Sequence, residues 1–67
     1  MSVAKVIEVS SSSTESIEDA VSSGLRKVSD TISGVQGAWV SDIKVRTDSE
    51  GEISEWRVCM RVSFVVE

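Results

Sequence analysis

From Trp56 to Val66 every second residue is apolar: Trp56, Val58, Met60, Val62, Phe64 and Val66. Arg57, Cys59, Arg61 and Ser63 alternate with them. A period of two puts the first set on one side of a long β-strand and the second set on the other. The apolar side must be covered, and the cover has to come from the rest of the chain.

One other segment can supply it. Ile17, Ala20, Val21, Leu25, Val28, Ile32 and Val35 recur at helical spacing, which predicts a long helix from about Ser13 to Ser33 with one apolar stripe. Arg26 and Lys27 lie on its solvated side. Gly24 falls on the stripe, where glycine costs about 1 kcal/mol relative to alanine. Its presence predicts close approach of a neighbouring backbone. Ser12 and Glu15 fit a capping box, each side chain satisfying the other's unpaired backbone N–H. Glu15, Glu18 and Asp19 bring negative charge to the positive end of the helix dipole. Gly34 is the expected left-handed cap at the far end.

Two further strands complete the pattern. Val3 to Val9 is rich in β-branched residues, and the serine run Ser10 to Ser13 is expected to break it. A strand from about Gly37 to Thr47 has blurred alternation. Trp39, Ser41, Ile43 and Val45 fall on one face, and Ala38, Val40, Asp42, Lys44 and Arg46 on the other. Asp48-Ser49-Glu50-Gly51 reads as the hairpin turn into the last strand.

The expected fold is α+β, a single domain over residues 1–67 with the order β-α-β-β. The three strands form an antiparallel sheet with the last strand central, and the long helix packs on one face. The other face carries Trp39, Arg57, Cys59 and Arg61, and a single helix cannot reach it. An uncovered face bearing a tryptophan is expected to be an interface or a ligand surface. A domain this short buries only roughly 60% of its unfolded surface. With one cysteine and no histidine, neither an intrachain disulfide nor a zinc cluster can compensate. Self-association is the remaining route.

The net charge of −4 argues against a nucleic-acid partner, because phosphate binding needs clustered Lys and Arg. No stretch is long and apolar enough to span a bilayer. No secretory signal is visible, and with a free thiol this favours the cytoplasm. Cys59 has no histidine to act as its base, no nucleophile–base–acid set can be assembled, and no glycine-rich phosphate loop occurs. A non-enzymatic protein is expected, with Cys59 a packed, inert thiol. Asp48, Glu50 and Glu52 around Gly51 lack the ligand order of a calcium loop and read as a solvated acidic turn.

Three segments in this order, Lys5-Val6-Ile7-Glu8, Ser16-Ile17-Glu18-Asp19-Ala20-Val21, and Arg57-Val58 followed by Val62-Ser63-Phe64, resemble the dodecin family over nearly the whole chain. The resemblance implies a hollow homododecamer of β-α-β-β protomers that binds flavin (riboflavin, FMN or FAD) between symmetry-related copies. The implied role is storage and sequestration of flavin, with no catalytic turnover. In the family, a tryptophan early in the second strand stacks on the flavin ring, and a glutamine early in the third strand meets its edge. Here the tryptophan position is Gly37, and Trp39 lies two residues on, shifted by about 7 Å along the same strand face. The glutamine position is Arg57, which donates hydrogen bonds but cannot accept them. The implied ligand-contacting residues are Gly37, Trp39, Arg57 and Asp42.

Each of these residues also has a plainer reading. Trp39 is either a displaced stacking platform or an aromatic filling space between protomers. Trp56 belongs to the covered face and reads as core. Arg57 and Arg61 share the open face, where they either bind an anionic ligand such as a flavin phosphate or form inter-protomer salt bridges with Asp42 or Glu8. The alternative to a flavin-binding assembly is a shell of the same build that has lost flavin binding and holds cations.

Overall fold

The computed structural model describes residues 3–66. Strand β1 spans Val3–Ser13, helix α1 Ile17–Thr31, strand β2 Val35–Thr47 and strand β3 Ile53–Val66. The strand order is β1-β3-β2 and both pairings are antiparallel. This is the β-α-β-β sheet with a central last strand that the alternation from Trp56 to Val66 demands.

The serine run does not break the first strand. Ser10, Ser11, Ser12 and Ser13 stand opposite Cys59, Val58, Arg57 and Trp56 in the β1–β3 ladder. The backbone ladder of the long central strand outweighs the turn preference of serine, and the small side chains let the helix come close. At Gly24 an added Cβ would stand 2.9 Å from Ser11 Cβ and 2.8 Å from Met60 Cε. The close approach predicted there exists, made by side chains rather than by backbone.

The extended strand delays the helix. The Ser12–Glu15 capping box does not form, because Ser12 is held in the ladder. Ser16 is the N-cap instead, and its Oγ accepts from the Asp19 N–H at 2.9 Å. Ser13, 8% exposed, seats the chain between strand and helix. Its Oγ accepts from the Glu15 N–H at 2.9 Å and donates to Asp19 Oδ2 at 2.7 Å. At the other end the C-cap is Ile32, with extended dihedrals and its N–H donating to Val28 O. Gly34 is left-handed as expected, with φ +81°, but it serves the turn into β2 rather than the cap. Its carbonyl accepts from the Val65 N–H at 2.9 Å.

The core is small. Ala20, Val58, Met60 and Val62 are fully buried, with Ile7, Val9, Val21, Leu25, Val28, Val35 and Val40 packed around them. Each large side chain so buried contributes roughly 1.5–3 kcal/mol. The helix lies chiefly on β1 and β3, so the β2–β3 hairpin projects beyond it. Helix-side residues on that projection, Ile43 and Val45, remain 49% exposed.

The protomer is correspondingly elongated, 53 × 19 × 13 Å, with a radius of gyration of 13.8 Å. A compact chain of this length has a radius of roughly 11 Å. Its accessible area of 4890 Å² exceeds the roughly 4,100 Å² of a monomeric protein of this mass. The excess, about 800 Å², is the share one partner buries in a standard protein–protein interface. No helix is long and apolar enough to cross a membrane among the described residues.

Candidate functional site

The sheet face away from α1 is set by β3. Arg57, Cys59, Arg61 and Ser63 alternate with the buried Val58, Met60 and Val62, as the period of two requires. The β1 residues opposite them are Ser12, Ser10, Glu8 and Val6.

Strand β2 joins this face with a change of phase. Trp39 stands opposite Arg61, but Asp42 stands opposite Cys59 and Lys44 opposite Arg57. The ladder shifts between Val40 and Asp42, so Ser41 is an extra residue. A bulge of this kind reverses which side chains face which way beyond it. Ser41 Oγ donates to Cys59 O at 3.1 Å and ties the bulge to the central strand. The simple alternation expected for β2 is thereby corrected. Asp42, Lys44 and Arg46 share the open face with Trp39, whereas Ile43 and Val45 join Val58 and Trp56 on the helix side.

A second shift between Val35 and Gly37 leaves Gln36 out of the ladder. Here an open recess of about 570 Å³ is lined by Val6, Gln36, Gly37, Ala38, Trp39, Arg61 and Ser63. Trp39 is 64% exposed and forms one wall. Ser63 Oγ donates to Gly37 O at 3.3 Å. A Cβ built on Gly37 meets nothing within 4 Å, so this position leaves open space where a side chain would stand.

The charges on this face are arranged unevenly. Glu55 takes both Arg57 at 3.5 Å and Arg46 at 3.8 Å, and Asp42 lies 3.9 Å from Lys44. Exposed pairs of this kind contribute roughly 0.2–1 kcal/mol each. Arg61 makes a different contact: its guanidinium carbon is 5.3 Å from the centroid of the Trp39 ring, within the range of a cation–π interaction.

Gly37 and Trp39 line one recess. Asp42 and Arg57 are on the same face but outside it. Arg57 is four residues from Arg61, about 13 Å along the strand, in a smaller hollow of about 160 Å³ with Lys44, Val45, Arg46 and Glu55. Within one protomer the four residues do not converge. Val6, Gln36 and Ser63 were not legible as site residues, because their place beside Trp39 depends on the β1–β3 register and the bulge at Gln36. The Asp48 turn binds its own backbone: Asp48 Oδ1 accepts from the N–H groups of Glu50 and Glu52 at 2.9 and 3.0 Å. Among the described residues no group of three or more Cys, Asp or Glu side chains is placed to hold a metal ion.

A family model described as Dodecin matches residues 3–67. A crystal structure of a point mutant of the T. thermophilus dodecin superposes with a TM-score of 0.92 at 25% identity, covering 100% of this chain and 98% of that one. The calcium dodecin of Mycobacterium tuberculosis, described as a calcium-chelating antigen with a novel calcium-binding site, gives 0.82 at 29% identity over 97% and 91% of the two chains. The dodecin of Streptomyces davaonensis shares the fold, with a TM-score of 0.91 at 23% identity over 98% and 96%. None of the curated proteins matches the chain.

Proposed function

This chain belongs to the dodecin family, and on that premise we propose that it stores and sequesters flavin, or a similar aromatic ligand, between copies of itself in a homododecamer. One observation carries the reading. Trp39 stands 64% exposed on a sheet face that no helix covers, beside a recess of about 570 Å³, within the size range of small-molecule sites. An indole left in water this way offers a plane for offset stacking. The area in excess of a compact monomer calls for neighbouring copies, and symmetry then supplies the second half of the site.

The lining residues fit such a ligand. Val6 gives an apolar floor, and Gly37 leaves room for a ring edge. The Gln36 amide both donates and accepts, which matches the mixed polar edge of an isoalloxazine ring. Arg57 and Asp42 complete the set from a neighbouring copy, Arg57 gripping a polar edge or anionic tail. Bound flavin would supply a chromophore whose excited state stacking quenches. The protein's part is to hold and shield it, not to turn it over, and the free thiol of Cys59 is compatible with a reducing compartment such as the cytoplasm.

The test is a titration of riboflavin with micromolar protein, read by flavin emission. Quenching that saturates supports the reading, and emission unchanged across the titration rejects it.

The likeness to the calcium dodecin favours a second reading, a shell that holds cations. Since no such group forms within one chain among the described residues, carboxylates of several copies would have to meet. Twelve copies carry a formal charge of −48, a field that draws counter-ions. Melting curves that shift with calcium and return with EDTA support it; curves that do not move oppose it.

A further inference from the structure

We propose that the projecting β2–β3 hairpin of one copy docks by its helix side into the groove between α1 and β1 of the next copy. This rests on the self-association proposed above and names two surfaces that meet, both apart from the Trp39 recess.

The hairpin runs past the helix with apolar side chains and no cover. Ile43 and Val45 stand opposite Val58 and Trp56 and are each 49% exposed. Three residues beyond Val45, about 10 Å along the strand, the chain turns through Asp48, Glu50 and Glu52, with no cation from Thr47 to Ile53. Among the described residues none of these three carboxylates has a cation within 4 Å.

The groove has the complementary character. It holds about 330 Å³ between α1 and β1, with apolar lining from Ile7, Val9, Val28 and Ile32. Lys27 lines it as well, and Lys5 lies two residues from Ile7 on the same side of β1. Among the described residues neither lysine has a carboxylate within 4 Å, and no carboxylate lines the groove. The strand beside it is a sheet edge of 11 residues that pairs with β3 without a register shift. A long, regular edge of this kind is a template for another chain unless something covers it.

The occupant is a second copy of this chain. Strands β1 and β2 are opposite edges of the sheet, so a chain cannot fill its own groove with its own hairpin. Two unlike patches, matched in apolar character and opposite in charge, make a head-to-tail contact that closes into a ring when the rotation between copies allows it. The area by which the protomer exceeds a compact monomer, roughly 800 Å², is what one partner contributes to a standard interface. Burial of Ile43 and Val45 supplies the drive, and the lysines and carboxylates at the rim fix which way round the copies meet.

The experiment follows assembly by native mass spectrometry and sedimentation over a range of protein concentration. Ile43→Asp/Val45→Asp should abolish the natural assembly and leave species of fewer copies, with unchanged far-ultraviolet circular dichroism. Lys5→Glu/Lys27→Glu and Glu50→Lys/Glu52→Lys should each raise the concentration for half-assembly by roughly tenfold, and the four changes together should bring it back. The second pair takes the net charge from −4 to neutral, so a loss of assembly there cannot come from overall repulsion. Natural protein that assembles while both charge pairs leave the midpoint unchanged overturns this inference alone. A fourfold variant no better than either pair also overturns it. If Ile43→Asp/Val45→Asp does not fold, the charge exchange decides. Natural protein that stays a lone protomer overturns this inference together with the self-association on which it rests.

Discussion

Arg61 and Trp39 face each other across the β2–β3 ladder, with the guanidinium carbon 5.3 Å from the ring centroid. The pair couples the charge of the central strand to the exposed aromatic of an edge strand. It forms only because Trp39 precedes the bulge at Ser41. The open face is therefore organised around two residues that are 22 positions apart in the chain.

Trp39→Ala should remove ligand binding and spare the fold. The side chain is 64% exposed, so the loss in protomer stability is confined to an exposed cation–π contact of about 0.5–1 kcal/mol. Riboflavin emission should no longer be quenched, while the far-ultraviolet circular dichroism stays unchanged. Retained quenching in this variant contradicts the assignment of Trp39 as the stacking plane.

The helix start separates two serines. Ser16→Ala removes the Oγ that accepts from the Asp19 N–H and should cost about 1 kcal/mol, the usual loss for an N-cap. Ser12→Ala, in the exposed ladder position opposite Arg57, should stay within about 0.5 kcal/mol. Urea unfolding of both variants checks the order. A larger loss at Ser12 restores the capping box that the structure rejects.

Gly24→Ala should destabilise despite the better helix propensity of alanine. The new Cβ meets Ser11 Cβ at 2.9 Å and Met60 Cε at 2.8 Å. The methionine tip can swing away, but Ser11 Cβ is fixed to the strand backbone, so the helix must shift. Overpacking costs typically 1–3 kcal/mol against a propensity gain of about 1 kcal/mol. A net loss of about 1 kcal/mol in urea unfolding is expected; a gain shows that the helix has room to move.

The two left-handed glycines should differ. At Gly51, φ +84° in open space, alanine meets only the left-handed penalty of about 1–2 kcal/mol. At Gly34 the same penalty is joined by a Cβ 2.8 Å from the Val65 carbonyl oxygen, a backbone atom held in the β3 strand. Gly34→Ala should therefore cost more than Gly51→Ala in thermal melts, and the reverse order contradicts the placement of Gly34 against β3.

Much of this was legible from local pattern. The period of two from Trp56 to Val66 and the helical stripe from Ile17 to Val28 set the layers, and the helical connection lets the first strand lie beside the last. What escaped were features set by cross-strand register. Ser10 to Ser13 read as a break, because turn propensity is local while the ladder to β3 is not. The phase of β2 was unreadable, since Ser41 carries no mark of a bulge beyond its hydroxyl. Arg57 matched the flavin-edge position of the family, yet in one protomer the arginine beside Trp39 is Arg61.

Everything about function depends on identical copies closing over the helix-free face of the sheet. Native mass spectrometry of protein purified without denaturation reports subunit number and retained ligand in one spectrum. The expected result is a twelve-chain species carrying bound flavin mass. A chain that remains a single protomer at micromolar concentration, with no ligand attached, contradicts the shared site at Trp39 outright.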